Sequence, residues 1–325
     1  MAKTGSQLQT KDEYFHTNKY VGINSPQRAS ILLPPTNGLY RTQQIALLVR
    51  YALISHFVNR TIAPLSLILI APPEEDKTRI LLKFQKMPNT KTIENLSSKP
   101  LNQLIMKQDE KQTIHHLIIL DFIRTLQHKA TVVDAVIGTL LNLIDEGVQE
   151  NLFYGEEFKL KHRVQMGIIT AITPPLFRKH FPRWNENGAI SRFIPCSYEY
   201  TPDTIHEVNR YISLNLPVEV DKTLEQVKRR GKQTITINSD ISAAIMLLTE
   251  EVTERLLKFY VTRYAGKRQY RIYLDLKGFR LQKMLRLLAQ SIAYDRGRNE
   301  VNYEDLATLR ELSELIRFPN DPKAI

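Results

Sequence analysis

The stretch Leu65–Phe84, LSLILIAPPEEDKTRILLKF, decides the fold. It opens on a short continuous apolar run, the pattern of a strand buried on both faces. Pro72-Pro73 stops that run, because proline donates no ladder hydrogen bond and fixes its own φ. Three acidic residues, Glu74, Glu75 and Asp76, follow, then Lys77-Thr78, and the apolar spacing resumes as helix in KTRILLKFQK. Lys77 therefore stands at a strand-to-helix junction.

Working outward, the same unit recurs. Apolar residues at helical spacing in LYRTQQIALLVRYALISHFVNR (residues 39–60) predict a helix ahead of the first strand. HHLIILDF (His115–Phe122) reads as a second buried strand with Asp121 at its carboxyl end, and TVVDAVIGTLLNLIDEG as a helix stopped by Gly147. VQMGIITAIT (residues 164–173) is a third buried strand, ended by Pro174-Pro175 with Thr173 at its tip. GAISRFIPCSYEYT then leads into a helix at PDTIHEVNRYISL. Apolar strands alternating with helices predict an α/β fold with a parallel sheet covered by helices. After residue 200 helical stripes dominate: DISAAIMLLTEEVTERLLKFYVTRY, GFRLQKMLRLLAQSIAYDRGR and NYEDLATLRELSELI, the last with Asn302 as N-cap. The organisation expected is an extended leader over 1–38, an α/β domain over 39–200 and a helical lid-type domain over 201–325.

Composition narrows the function classes. The chain has 325 residues, 42% of them hydrophobic, enough for one large core or two modest ones. No apolar run nears the ~20 residues that span a bilayer, and the first twenty residues hold no signal-like apolar core, so a cytoplasmic protein with no membrane partner is expected. A single cysteine, Cys196, excludes an internal disulfide and a cysteine-based zinc site. A net charge of +11 favours a polyanionic partner, nucleic acid first. Cations mix with rings in FRKHFPRW, where Arg178, Lys179 and Arg183 are candidate phosphate contacts. Lys228, Arg229 and Arg230 in KRRGK, and Lys267 and Arg268 in RYAGKRQYRIY, are further candidates. A solvated charged face is the competing reading of each segment, and Phe181 and Trp184 suit a core equally well.

The eight residues Ala71-Pro72-Pro73-Glu74-Glu75-Asp76-Lys77-Thr78 align with the P-loop pattern GxxxxGK[ST], in which backbone amides and the lysine cradle phosphates and the hydroxyl holds magnesium. Lys77 and Thr78 match. Ala71 and Asp76 replace the two glycines, and aspartate tolerates a left-handed backbone better than most residues. The three carboxylates repel a triphosphate. Asp121 and Thr173, each ending a buried strand, occupy the order of a magnesium-bearing carboxylate and a nucleotide-sensing polar group.

GAISRFIPCSYEY resembles the LLSRF segment of MCM-like members of the AAA+ ATPase superfamily, and GFRLQKMLRLLAQSIAYDRGRNEVNYEDLATLREL is similar to the AAA+ lid. IITAITPP resembles the sensor-1 strand. The resemblance covers roughly residues 42–317, and residues 205–275 match no part of it. It implies ATP and Mg2+ as cofactors, with Thr78 and Asp121 on the metal, Thr173 as sensor 1, Arg280 as sensor 2 and Arg192 as an arginine finger acting on a neighbouring subunit, hence a homo-oligomer. It also implies work on nucleic acid, as a helicase, loader, replication or mobile-element factor. The Walker B glutamate that polarises water is replaced by Phe122, so hydrolysis is expected to be severely cut while binding survives. Asp145 and Glu146 replace it only if the fold brings them round. A non-hydrolysing adaptor subunit, an ATP-independent DNA-binding protein and a chaperone-like role on protein are the alternatives.

Overall fold

In the computed structural model the described residues are 42–59, 63–94, 96–153, 156–214, 231–265, 268–274 and 276–319. The expected leader over 1–38 lies outside them, as do Lys228, Arg229, Arg230 and Lys267. Arg268 is described only as backbone.

Five strands form one parallel sheet: β1 (Leu67–Ile70), β2 (Thr90–Ile93), β3 (His116–Ile119), and, after an antiparallel hairpin of β4 (Val148–Phe153) with β5 (Glu156–Val164), β6 (Gly167–Ile172) and β7 (Ile194–Ser197). Their order across the sheet is β2-β3-β6-β1-β7, all parallel. Each of β1, β3, β6 and β7 is buried along its whole length, which is why the sequence shows apolar runs there and no alternation. Gly167 starts β6 where a Cβ would lie 2.5 Å from the Leu65 carbonyl and 2.6 Å from the His116 ring, so the central strands approach more closely there than a side chain permits.

Helices supply the connections: α1 (Gln43–Ile54), α2 (Lys77–Leu82), α3 (Ser98–Met106), α4 (Phe122–Leu126), α5 (Ala130–Ile144), α6 (Pro174–Glu186) and α7 (Pro202–Ser213). The remaining helices, α8 (Ser239–Leu257), α9 (Phe279–Asp295) and α10 (Tyr303–Ser313), pack on one another, and α9 also packs on α1. There Arg50 donates two hydrogen bonds to Asp295, at 2.7 and 3.1 Å, both groups largely removed from water. Asn302 caps α10 as expected, in a reciprocal capping box with Asp305.

Two hairpins depart from the sequence expectation. The helix predicted to run through KFYVTRY ends at Leu257, and Tyr260–Ala265 (β8) pairs with Arg268–Tyr273 (β9). Tyr-Val-Thr-Arg-Tyr is rich in β-branched and aromatic residues, which favour a pleated surface once tertiary neighbours exist. The hairpin β4–β5 stands between α5 and β6, where no strand was expected. No helix of the described residues is long and apolar enough to cross a membrane.

Candidate functional site

Parallel strands place all their carboxyl ends on one edge, the side on which open α/β sheets present ligand-binding loops. Lys77 and Thr78 follow β1, Thr173 follows β6 and Asp121 follows β3. β1 and β6 are neighbours, and β3 is the next strand over. At about 4.8 Å per strand, the three points lie within about 10 Å across the sheet. The lysine-threonine pair, the aspartate and the threonine thus share one sheet edge.

The β1–α2 loop keeps a shape its residues resist. Glu74 (φ +66°) and Asp76 (φ +56°) are both left-handed, flanking Glu75. Glycine adopts this region freely, whereas a residue with a Cβ is strained there by about 1–2 kcal/mol, aspartate less than most. Tertiary contacts hold the loop. Beyond β7, the Tyr198 hydroxyl donates to the Glu75 carbonyl (2.8 Å), the Tyr200 amide to Glu75 Oε1 (3.0 Å) and the Tyr200 hydroxyl to Asp76 Oδ2 (3.3 Å). Lys77 Nζ donates back to the Pro72 carbonyl. Glu74→Gly is therefore expected to stabilise the protein by about 1 kcal/mol. Glu74→Ala, which removes the same charge but keeps the strain, is expected to bring no gain. Thermal midpoints of the two variants check this, and equal gains would assign the effect to charge instead.

Electrostatics in the loop are unusual. Glu75 is 6% exposed, and its Oε2 has no hydrogen-bond partner among the described residues. Burial, with Glu199 adding to it, pushes its carboxyl up to about 7, against the hydrogen bond from Tyr200 and the Lys77 charge. Burial lowers the Lys77 ammonium, and Glu75 opposes that. Burial and the Asp76 charge raise the Tyr200 phenol.

The other residues of this edge are partly committed. Asp121 Oδ1 accepts from the Ile123 amide (3.0 Å), capping α4, and Arg124 Nε lies 3.5 Å from Oδ2. Thr173 is half-buried at the N-cap of α6 and makes no capping bond. Thr78 is exposed. Phe122 is buried against Trp184, ring centroids 5.9 Å apart, so the position after Asp121 belongs to the core. Beside the loop a cavity of about 260 Å3 is lined by Pro72, Pro73, Pro174, Arg178, Tyr198 and Arg317, among others.

Arg192 and Arg280 lie at the opposite edge. Arg192 precedes β7, and Asp145, at the C-cap of α5, receives both: Arg192 Nε at 2.6 Å and Arg280 at 3.2 Å, on the same Oδ2. Arg280 also donates to the Ser191 hydroxyl at 3.2 Å. Asp145 is not brought round to the Lys77 edge, where the sequence reading would have needed it beside Asp121. A cavity of about 590 Å3 opens here, with Arg192, Lys232, Arg280 and Lys283 against the one carboxylate of Asp145, and Phe279 at its rim is 74% exposed.

Of the basic-aromatic candidates, FRKHFPRW forms α6 with its rings inward: Phe177, Phe181 and Trp184 are core and cannot stack on bases. Arg183 pairs with Asp134, Arg178 is half-buried and Lys179 is exposed. Sequence reading missed Tyr198, Phe279 and Lys283; it counted Glu75 among the loop carboxylates and Lys232 in the basic run KRRGK, without the burial of the first or the cavity beside the second. A Tyr-x-Tyr pair just past a buried strand was the available signal for the loop's clamp. No protein-family model matches this chain, and comparison with curated proteins gives no match.

Proposed function

We propose that the chain is a nucleotide-binding module of the AAA+ P-loop type that assembles head to tail with copies of itself, serves a nucleic-acid process such as replication, and hydrolyses ATP poorly or not at all. One observation carries this reading: Lys77-Thr78, Thr173 and Asp121 share the carboxyl edge of three consecutive strands, while Arg192 and Arg280 sit together at the opposite edge. Arg192, at the edge away from its own Lys77 loop, is read as a finger for a neighbour's nucleotide, whereas Arg280, expected as sensor 2, lies at that same edge on Asp145. The charge of +11 supports a nucleic-acid partner.

The residues present suit ATP and Mg2+ in part. Thr78 and Asp121 offer the oxygen donors that Mg2+ takes. Arg124, whose side chain is 59% exposed, would have to yield Asp121 Oδ2. Thr78 and Asp121 would hold Mg2+, which would supply charge neutralisation to a phosphate, and Lys77 would add a second cation once freed from the Pro72 carbonyl. Glu74, Glu75 and Asp76 oppose phosphate, so the affinity is expected to be low. The burial of Phe122 supports the non-hydrolysing form, since no acid follows Asp121 to orient water.

Isothermal titration with ATP and Mg2+ tests the reading. Lys77→Ala is expected to weaken binding at least tenfold, about 1.4 kcal/mol. Unchanged affinity in that variant counts against a nucleotide at this loop. Robust turnover abolished by Asp121→Ala would remove the non-hydrolysing form.

A further inference from the structure

The three carboxylates of the β1–α2 loop do not stand alike. Glu74 is exposed, so water screens it. Asp76 is engaged by Tyr200 at 3.3 Å and by Arg79 at 3.4 Å. Glu75 is buried: its Oε1 accepts from the Tyr200 amide, and its Oε2 has no hydrogen-bond donor among the described residues. It cannot turn out to water without breaking the hydrogen bonds that Tyr198 and Tyr200 make to it. The charges that bear most on it are Glu199, from the segment after β7, and Lys77, from its own loop, and only Lys77 is a cation. The other cations of this edge have their own surroundings. Arg79 stands on Asp76, Arg124 on Asp121 and Glu94, and Arg178 and Arg317 line the neighbouring cavity together with Glu199. The phenols of Tyr198 and Tyr200, raised by burial, are neutral.

We infer that the loop takes up a proton on Glu75 together with its phosphate ligand, so that this buried carboxylate makes nucleotide affinity depend on pH. The inference rests on the nucleotide reading proposed above and names the regulation of that same site. The proton comes from solvent and settles on the carboxylate, and no bond to the ligand forms or breaks.

Lys77 serves two acceptors in the free loop, the Glu75 charge and the Pro72 carbonyl. A phosphate that draws Lys77 away takes the one nearby cation from Glu75 and sets a second anion beside it. Both changes penalise the carboxylate, and burial keeps water from compensating. A proton removes the penalty. The free loop is already close to taking it: burial first, with Glu199 adding, pushes the Glu75 carboxyl up to about 7, against the Tyr200 amide and Lys77. The direction of the pH effect follows. At about pH 5.5 the proton is in place before the ligand arrives. At about pH 8 roughly one molecule in ten carries it, so a site that requires it loses about tenfold in affinity.

Titration calorimetry with ATP and Mg2+ tests it, on wild type and Glu75→Gln, at about pH 5.5 and about pH 8, each in two buffers of different ionisation heat. Taking the ratio of the two affinities at one pH cancels the titration of ATP itself. Glu75→Gln is expected to bind about tenfold more tightly than wild type at pH 8 and within about twofold of it at pH 5.5. The buffer pair counts the protons taken up on binding. At pH 8 wild type is expected to take up about one proton more than the variant, and at pH 5.5 no more than the variant. Thermal melts establish that the variant is folded, and Glu75→Ala enters the same comparison if the glutamine variant does not fold. An affinity ratio that is the same at both pH values overturns the inference. So does a folded variant that takes up as many protons as wild type, which would put the proton on Lys77 or on the ligand. Both of these results leave nucleotide binding at the loop intact. Absence of ATP binding by either protein at either pH overturns the nucleotide reading, and this inference with it.

Discussion

Glu75→Gln is expected to raise stability by about 2 kcal/mol at pH 8 and to leave it nearly unchanged at pH 4.5. Glu75 is buried, one carboxylate oxygen takes the Tyr200 amide and the other takes nothing among the described residues. Burial is the first cause of its raised pKa, about 7 against an ordinary 4.5. A carboxyl whose folded value is raised binds its proton more tightly in the folded state. Below 4.5 both states are protonated and the group costs nothing. Between 4.5 and 7 the unfolded chain releases its proton first, so stability falls as pH rises. Above 7 both are ionised and the full penalty is present, with a ceiling of about 3 kcal/mol at 1.36 kcal/mol per unit. Glutamine keeps an acceptor for Tyr200 and carries no charge, but leaves an amide to satisfy, which reduces the gain to about 2 kcal/mol. Urea titrations at several pH values check the curve. A gain of equal size at pH 4.5 and pH 8 would refute the ionisation account. The same substitution bears on function, since an uncharged side chain at this position also lessens repulsion of a phosphate at Lys77.

Phe177→Ala is expected to cost about 3–5 kcal/mol, more than the loop substitutions change in either direction. The ring is fully buried, and its centroid lies 5.5 Å from Phe318, 5.9 Å from Phe181, 6.0 Å from Trp184 and 6.1 Å from Phe259. These rings come from α6, from just past the end of α8 and from the segment after α10, so one side chain joins the sheet layer to the C-terminal helices. Truncation loses the transfer free energy of the ring and leaves a cavity that rings fixed on three elements cannot collapse to fill. A lowered urea midpoint with an unchanged slope is the expected signature. A loss below about 1 kcal/mol would mean that this cluster does not bind the two parts together. Thr173 begins α6, so loosening this cluster also loosens one of the proposed nucleotide contacts.

The alternation of apolar runs with helical stripes was legible because both periods are local. Leu67–Ile70, His116–Ile119 and Gly167–Ile172 read as buried strands and are buried strands, with Lys77, Asp121 and Thr173 just past their ends. Less local features were not legible. Tyr260–Ala265 continues an amphipathic helical pattern, and its pairing with Arg268–Tyr273 comes from contacts that the helical period does not encode. Nor was the inward turn of Phe177, Phe181 and Trp184, since rings beside cations occur both on nucleic-acid surfaces and in cores.

By itself, then, the sequence determined the alternation of buried strands with helices, three of the five sheet strands and the placement of chemistry-bearing residues just beyond those three, because chain direction in a parallel sheet sends every carboxyl end to one edge, while β2 and β7 were not read as strands. Only the tertiary structure decided that Arg280 joins Arg192 on Asp145, 135 residues away, and that tyrosines beyond β7 clamp a loop some 124 residues earlier. Such partners are chosen by packing and charge across distant segments, and no local spacing records them.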